Sequence, residues 1–126
     1  MSTVHLFIMS RATGEPSVFL VEREAGTVEF PTLVTDDTEE QDEARIVDQI
    51  RACTGLTVSI SGYVDPPAGA LICPPGSRFL LAQRLSGHPE IREPHVGWEW
   101  RPAAMLLSLH FVPKLMVDEL RSYMNG

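Results

Sequence analysis

The sequence predicts an α+β layered sandwich, in which a sheet packs against two substantial helices. Several segments are apolar or alternate between apolar and polar residues, as β-strands do. Two other segments repeat apolar residues at helical spacing, and the strands and helices do not alternate as regular βαβ units would. We expect a single domain, residues 1–126, because this length suits one hydrophobic core.

Strands are predicted along most of the chain. Apolar runs at 3–10 and 17–22 flank a turn-rich stretch and are typical of a strand pair, with a short further strand at 26–30. Residues 56–64 alternate between apolar and small polar side chains, which predicts a half-buried strand. The run at 78–85 is mostly apolar, which predicts a strand covered on both faces. A short strand at 68–73 lies between proline clusters.

The first helix is predicted over residues 39–54, after an irregular loop that opens at Pro31. Its apolar residues share one face of a helix: Ile46, Val47, Ile50 and Cys53. Thr38 and Gln41 have the spacing of a capping box, and the acidic residues of 36–43 complement the helix dipole. Gly55 has the position of a C-terminal glycine cap.

The C-terminal part predicts one more strand and the second helix. Trp98 and Trp100 lie on one face of a short strand, with Glu99 on the other. Pro102 suits the first turn of a helix, and 106–123 carries apolar residues at helical spacing. The tryptophans are candidates both for core packing and for stacking against a ligand.

Composition excludes several classes of partner. The net charge of −7 and the scattered arginines argue against nucleic-acid binding. Neither a signal segment nor an apolar run long enough to span a membrane is evident, so we expect a cytoplasmic protein with no membrane partner. The two cysteines, Cys53 and Cys73, make no metal-binding motif, and we expect buried free thiols.

Residues 30–56, FPTLVTDDTEEQDEARIVDQIRACTGL, resemble the Nudix box of the Nudix (MutT-like) hydrolase superfamily. Gly55 and Leu56 match the end of that motif, Ile50 its apolar position and Glu40 its isolated glutamate. The preceding SVFLVEREAGTVEFP resembles the strand and turn that lead into the box. The resemblance extends over residues 3–123 and implies an α/β/α sandwich with a mixed sheet, a Nudix-type helix at about 39–54 and a C-terminal helix.

This chain also departs from the Nudix box where that box carries its chemistry. Asp48-Gln49 stands in place of Arg-Glu, and Ala52-Cys53 in place of Glu-Glu. Val34 stands in the position of the motif glycine, and Pro31-Thr32-Leu33 stands in place of the usual Pro-Gly-Gly. The resemblance implies that the missing glutamates would hold the divalent cations that bridge substrate phosphates. Mg²⁺ needs several oxygen ligands, so a single Asp48 predicts no metal site and no cofactor.

Two functions follow as hypotheses. In the first, the protein has lost metal-dependent pyrophosphohydrolase activity and binds a small nucleotide-like ligand or a protein partner; the candidate ligand-binding residues are Gln49, Trp98 and Trp100. In the second, it hydrolyses a nucleoside-diphosphate-linked substrate with Mg²⁺ held by carboxylates outside the standard box. The candidates for that role are Glu40, Asp48, Glu93 and Glu99. A homodimer is compatible with either function.

Overall fold

A mixed β-sheet and a helix form the part of the chain described by the structure, a computed structural model. The described residues are 2–11, 14–24, 27–35, 42–65, 77–90, 95–102, 105, 120 and 122–123. The strands are β1 (Ser2–Ser10), β2 (Ser17–Glu22), β3 (Val28–Glu29), β4 (Thr32–Thr35), β5 (Leu56–Val64), β6 (Arg78–Gly87) and β7 (Gly97–Pro102), and the helix is α1 (Glu43–Thr54). The predicted α+β class is confirmed, and β2 and β5 begin and end where the sequence predicts.

Strand β1 organises the sheet. It runs parallel to β6 along one edge and antiparallel to β2 and β4 along the other. Its pairing with β2 is confined to Met9 and Ser10, while β4 pairs with Ser2–His5 at the opposite end. The strand order is β3-β2-β1-β6-β5, with β7 antiparallel to β2. Thus β1 and β2 diverge, and the segment from β3 to β4 fills the space between them.

The segment after Pro31 corrects the sequence prediction of an irregular loop. Residues 32–35 form β4, with Leu33 and Thr35 buried and the two alternate side chains exposed. The Pro31 carbonyl also accepts a 2.8 Å hydrogen bond from Leu6 N. Threonine and valine favour extended backbone, so the residues that replace the glycines of the Nudix box build a strand here. Strand β3, at two residues, is shorter than the predicted 26–30.

Two apolar clusters occupy opposite faces of the sheet, because successive side chains of each strand point to opposite sides. The cluster on the helix face contains Ile46 and Ile50 together with Val4, Leu6, Ile8, Phe19, Val21, Leu33, Leu56, Val58, Leu80 and Ala82. The cluster on the other face contains Phe7, Met9, Val18, Leu20, Phe30, Phe79, Leu81 and Leu120. Strand β6 contributes to both clusters, which confirms the prediction that it is covered on both faces.

Helix α1 begins later than the sequence predicts. Asp42 is its N-cap, with φ −104° and ψ 91°, and its side chain accepts a 3.2 Å hydrogen bond from Arg45 N. The helix therefore begins four residues after the predicted start at 39, because an aspartate N-cap satisfies a first-turn amide directly. The predicted capping box of Thr38 and Gln41 lies outside the described residues. The predicted C-terminal cap is confirmed: Gly55 has φ +77° and donates a 2.8 Å hydrogen bond to Arg51 O.

The buried face of α1 agrees only in part with the predicted face. Ile46 and Ile50 are fully buried and Val47 is half-buried. Cys53 is exposed, so the prediction of a buried thiol is wrong. Thr54 takes the buried position instead, because residues 46, 50 and 54 recur every four residues along one helix face. Its hydroxyl donates 2.7 Å to Ile50 O, which satisfies the buried polar group.

The C-terminal region contains a further correction. Pro102 is the last residue of β7, opposite Ser17, and not the first turn of a helix. Most of the predicted C-terminal helix and the predicted strand at 68–73 lie outside the described residues. Leu120 is buried in the second cluster, and Tyr123 packs edge-on against Phe7 at 5.9 Å. The described part of the chain contains no helix long and apolar enough to cross a membrane.

His5 is a half-buried histidine on β1. Its ring lies 5.3 Å from that of Phe79, and its Nε2 has no hydrogen-bond partner among the described residues. Burial lowers the pKa of His5 below 6.5, an effect that the charge of Glu29 partly offsets. Desolvation therefore favours the neutral ring in the folded protein.

This lowered pKa makes stability depend on pH. The folded protein binds fewer protons at His5 than the unfolded chain does, so the contribution is fully present above pH 6.5 and is lost as the pH falls through the folded pKa. We expect His5→Phe to reduce the loss of unfolding free energy between about pH 7.5 and about pH 5.5, measured by urea unfolding. Equal losses in the wild-type protein and the variant would contradict this prediction.

Candidate functional site

The helix stripe where the Nudix box carries its metal ligands is the first place to seek a site. Asp48, Ala52 and Cys53 are exposed on α1, and Gln49 is half-buried with its side-chain carbonyl oxygen enclosed. Asp48 lies 3.4 Å from Arg51 Nη2. The described residues contain no group of three or more histidine, cysteine or acidic side chains placed to hold a metal ion. The described residues of this stripe therefore do not supply the oxygen ligands that a Mg²⁺ site needs, and the expectation of no cofactor stays a prediction.

Of the candidate carboxylates, the structure describes Asp48 and Glu99, which lie on different elements, α1 and β7. Glu99 forms a two-point ion pair with Arg101, with N–O distances of 3.0 and 3.2 Å. The alternation of β7 places Glu99 on the face opposite Trp98 and Trp100. Glu40 and Glu93 lie outside the described residues, and the catalytic role of all four candidates stays a prediction.

A cavity of about 260 Å³ lies on the helix face of the sheet, where β1, β2, β6 and β7 meet. Trp98 and Trp100 line it from β7, Arg84 from β6, and Ser10 and Ser17 from β1 and β2. The register explains this meeting: Ser10 pairs with Ser17, and β7 runs antiparallel to β2 along its length. His88 and Pro89, which follow β6, complete the lining.

The two tryptophans are packed differently. Both rings lie against Phe19, Trp100 at 5.1 Å and Trp98 at 6.4 Å between centroids. Trp100 packs against the buried cluster on the helix face, whereas Trp98 is 39% exposed. The His88 ring meets Trp98 edge-on at 5.9 Å. Trp100 therefore contributes to the core, while Trp98 keeps ring surface available to a ligand.

Arg84 is the cationic side chain of the cavity, and it was not among the site residues predicted from the sequence. Its Nη2 donates a 2.6 Å hydrogen bond to Gly87 O. No carboxylate among the described residues lies within ion-pair distance of its guanidinium. Four arginines elsewhere do pair with carboxylates: Arg23 with Glu29, Arg51 with Asp48, Arg78 with Asp65, and Arg101 with Glu99. In the sequence, the feature that could have identified Arg84 is its position as a charged residue in a strand that is otherwise mostly apolar.

The cavity wall formed by 87–90 rests on the C-terminal end of α1. Glu90 N donates a 2.8 Å hydrogen bond to Thr54 O. A Cβ atom at Gly55 would overlap with His88 O and lie 2.9 Å from Glu90 N, and a Cβ atom at Gly87 would overlap with Gly55 O. Glycine at both positions thus allows two backbone segments to touch, which sets the position of this wall.

Comparison with known proteins identifies the fold. No protein-family model and no curated protein sequence matches the chain. Three similar solved structures each cover 98% of it. One is the C. elegans Ap4A hydrolase in a binary complex, with a TM-score of 0.70, 14% identity and 96% of that chain covered. Another is the Nudix domain of Shewanella oneidensis NrtR complexed with ADP ribose, with a TM-score of 0.64, 17% identity and 88% of that chain covered. The third is the C-terminal domain of mouse MUTYH complexed with human PCNA, with a TM-score of 0.57, 19% identity and 87% of that chain covered. The chain therefore has the Nudix fold, as the resemblance implied.

Proposed function

We propose that this protein uses its Nudix fold to bind a small nucleotide-like ligand and has lost metal-dependent pyrophosphohydrolase activity. One observation carries the proposal: an aromatic cavity that contains Arg84 coexists with a helix stripe that offers a single carboxylate. Binding needs the first feature, and metal-assisted hydrolysis needs ligands that the second lacks. Fold alone would not separate the two functions, since one fold hosts many.

The loss of metal chemistry is supported by the surroundings of the stripe. Asp48 is exposed and already faces Arg51, and the neighbouring alanine, cysteine and glutamine offer no anionic oxygen. The segment that would approach a phosphate as a glycine-rich loop is strand β4. A strand paired with β1 has an extended backbone with alternate donors and acceptors bonded to that neighbour, so it does not fold around a phosphate as a flexible glycine-rich loop can.

The size of the cavity favours one aromatic ring. Its volume of about 260 Å³ lies just below the range of about 300–1,000 Å³ typical of small-molecule sites. A single base would stack on the exposed part of Trp98, and only the groups that extend beyond the cavity would lie in solvent. Of the similar proteins, one is complexed with ADP ribose and one is an Ap4A hydrolase, so both compounds are suitable probes together with mononucleotides.

The proposal is tested by measuring binding and turnover on the same samples. We expect at least one probe to raise the melting temperature in the presence of a chelator, with no further rise in millimolar Mg²⁺ or Mn²⁺ and no product by chromatography. Trp98→Leu should weaken binding roughly 5- to 150-fold, because base stacking on an aromatic side chain contributes about 1–3 kcal/mol. Leu85→Ala is the matched control, since Leu85 is exposed on β6 outside the cavity.

Each alternative gives a distinct result. Metal-dependent turnover would favour the hydrolase hypothesis and would direct attention to Glu40 and Glu93. Absence of binding by every probe would contradict the small-ligand module. In that case a protein partner would be the next hypothesis, as the mouse domain complexed with PCNA illustrates for this fold.

A further inference from the structure

Arg84 is a charged group for which the described residues supply no opposite charge. The chain carries 17 acidic and 10 basic residues, and four other arginines pair with carboxylates. Arg84 is half-buried and its described hydrogen bond is to a neutral backbone carbonyl, Gly87 O. Among the described residues this half-buried guanidinium has no counter-ion, and burial penalises a charge that is not compensated.

The position of this guanidinium relative to the cavity is also defined. The bond to Gly87 O attaches one nitrogen to the turn that rests on the α1 C-terminus, so the side chain is held in the cavity wall. A guanidinium has five N–H donors, and a two-point pair with an anion uses two of them. Ser10 and Ser17 line the same cavity, and each carries a hydroxyl group.

The remaining walls select for a flat ring. Trp98 and Trp100 supply aromatic surface, and Phe19 supports both rings from behind. The volume of about 260 Å³ lies just below the range typical of small-molecule sites, which suits a ligand with one planar ring system. The cavity thus combines a stacking surface with a preorganised cation, and no metal ion is needed to neutralise an anion placed there.

From this combination we infer that Arg84 determines the specificity of the cavity for a single planar ring that carries an anionic group, bound directly by the guanidinium. This inference rests on the proposed function and narrows the class of ligand. A nucleoside monophosphate and an aromatic carboxylate share this chemistry, and the test separates them.

The experiment compares matched anionic and neutral ligands by calorimetric titration in chelator. One arm uses the four nucleoside 5′-monophosphates, each against its nucleoside, and the other uses nicotinate against nicotinamide. In one of the arms we expect the anion to bind the wild-type protein at least about tenfold tighter, the contribution typical of a charge-assisted hydrogen bond. Arg84→Met should reduce that preference to about twofold or less and leave the neutral ligand unaffected.

Arg78→Met is the matched control. Arg78 lies on the same strand and the same face as Arg84, six residues away, which is about 20 Å along an extended chain. It pairs with Asp65 at 2.5 Å and its guanidinium covers the Tyr63 ring at 4.6 Å. The same charge is removed, but the cavity keeps its lining, so the anion preference should persist.

The outcomes distinguish this inference from the proposed function. An anion preference that survives Arg84→Met, or an equal loss for anion and neutral ligand, would overturn the inference while leaving the binding module intact. Failure of every ligand to bind the wild-type protein would overturn both.

If Arg84→Met is not folded by circular dichroism, Arg84→Gln and the salt dependence of wild-type binding replace it. Added salt should weaken binding of the anionic ligand and leave binding of its neutral counterpart unchanged. An affinity for the anionic ligand that stays constant at all salt concentrations would contradict a direct ion pair.

Discussion

Replacing Gly55 with alanine is expected to lower the free energy of unfolding by about 2–5 kcal/mol. Gly55 has φ +77°, where a side chain costs about 1–2 kcal/mol. Its added Cβ would also overlap with His88 O and lie 2.9 Å from Glu90 N. Both obstacles are backbone atoms, which cannot rotate away, and overpacking of this kind costs about 1–3 kcal/mol.

Gly14→Ala separates the two contributions. Gly14 has φ +90°, and a Cβ atom there would meet nothing within 4 Å. We therefore expect this control to lose only about 1–2 kcal/mol, the cost of the left-handed backbone alone. Urea unfolding of both variants measures the difference. Equal losses of unfolding free energy in the two variants would show that the backbone after β6 moves away from the added Cβ at little cost.

The position of Gly55 also connects stability to the site. The backbone that its Cβ would displace carries His88 and Pro89, two residues of the cavity wall. A folded Gly55→Ala protein should therefore bind the cavity ligand more weakly, although Gly55 does not line the cavity. Gly14 lies outside the cavity lining, so the control should keep the wild-type affinity.

The elements that the sequence predicts well are those with a strong local pattern. Residues 17–22 and 56–64 are strands with the predicted bounds because apolar runs and alternation are visible within each segment. The periodicity of Ile46 and Ile50 likewise predicts the buried face of α1. The predicted start of the helix was wrong because several acidic residues precede Glu43 and each suits a helix N-terminus. Only the folded geometry selects Asp42 as the cap.

The cavity shows why a site is harder to predict than an element. Trp98 and Trp100 stand out because large aromatic residues are conspicuous in any sequence. Ser10, Ser17 and Arg84 have no such signal. They meet because β1 pairs with β2 at its last two residues and runs parallel to β6, a strand that lies far away in the chain. The resemblance to the Nudix box directed attention to the helix stripe, whereas the described cavity lies across the sheet strands beside it.

Ile50→Ala tests whether α1 is held to the sheet by its apolar face, and we expect a loss of about 2–5 kcal/mol in the free energy of unfolding. Ile50 has no exposed surface and belongs to the cluster that contains Leu6 and Leu80. Truncation removes buried carbon atoms and leaves an empty space in the core. The paired strands on both sides of β1 keep that space from closing. The backbone carbonyl of Ile50, which accepts from the Thr54 hydroxyl, is unaffected by the change.

Val47→Ala is the control for this substitution, because Val47 lies on the same helix but is only half-buried. Alanine has high helix propensity, so neither variant should unwind α1, and the loss at Val47 should be about 1 kcal/mol. Urea unfolding with an unchanged denaturant slope would assign both losses to the folded state. A loss at Ile50 below about 1 kcal/mol would mean that the helix face adapts to the deletion, and the apolar contact would then not be what holds α1 against the strands that line the cavity.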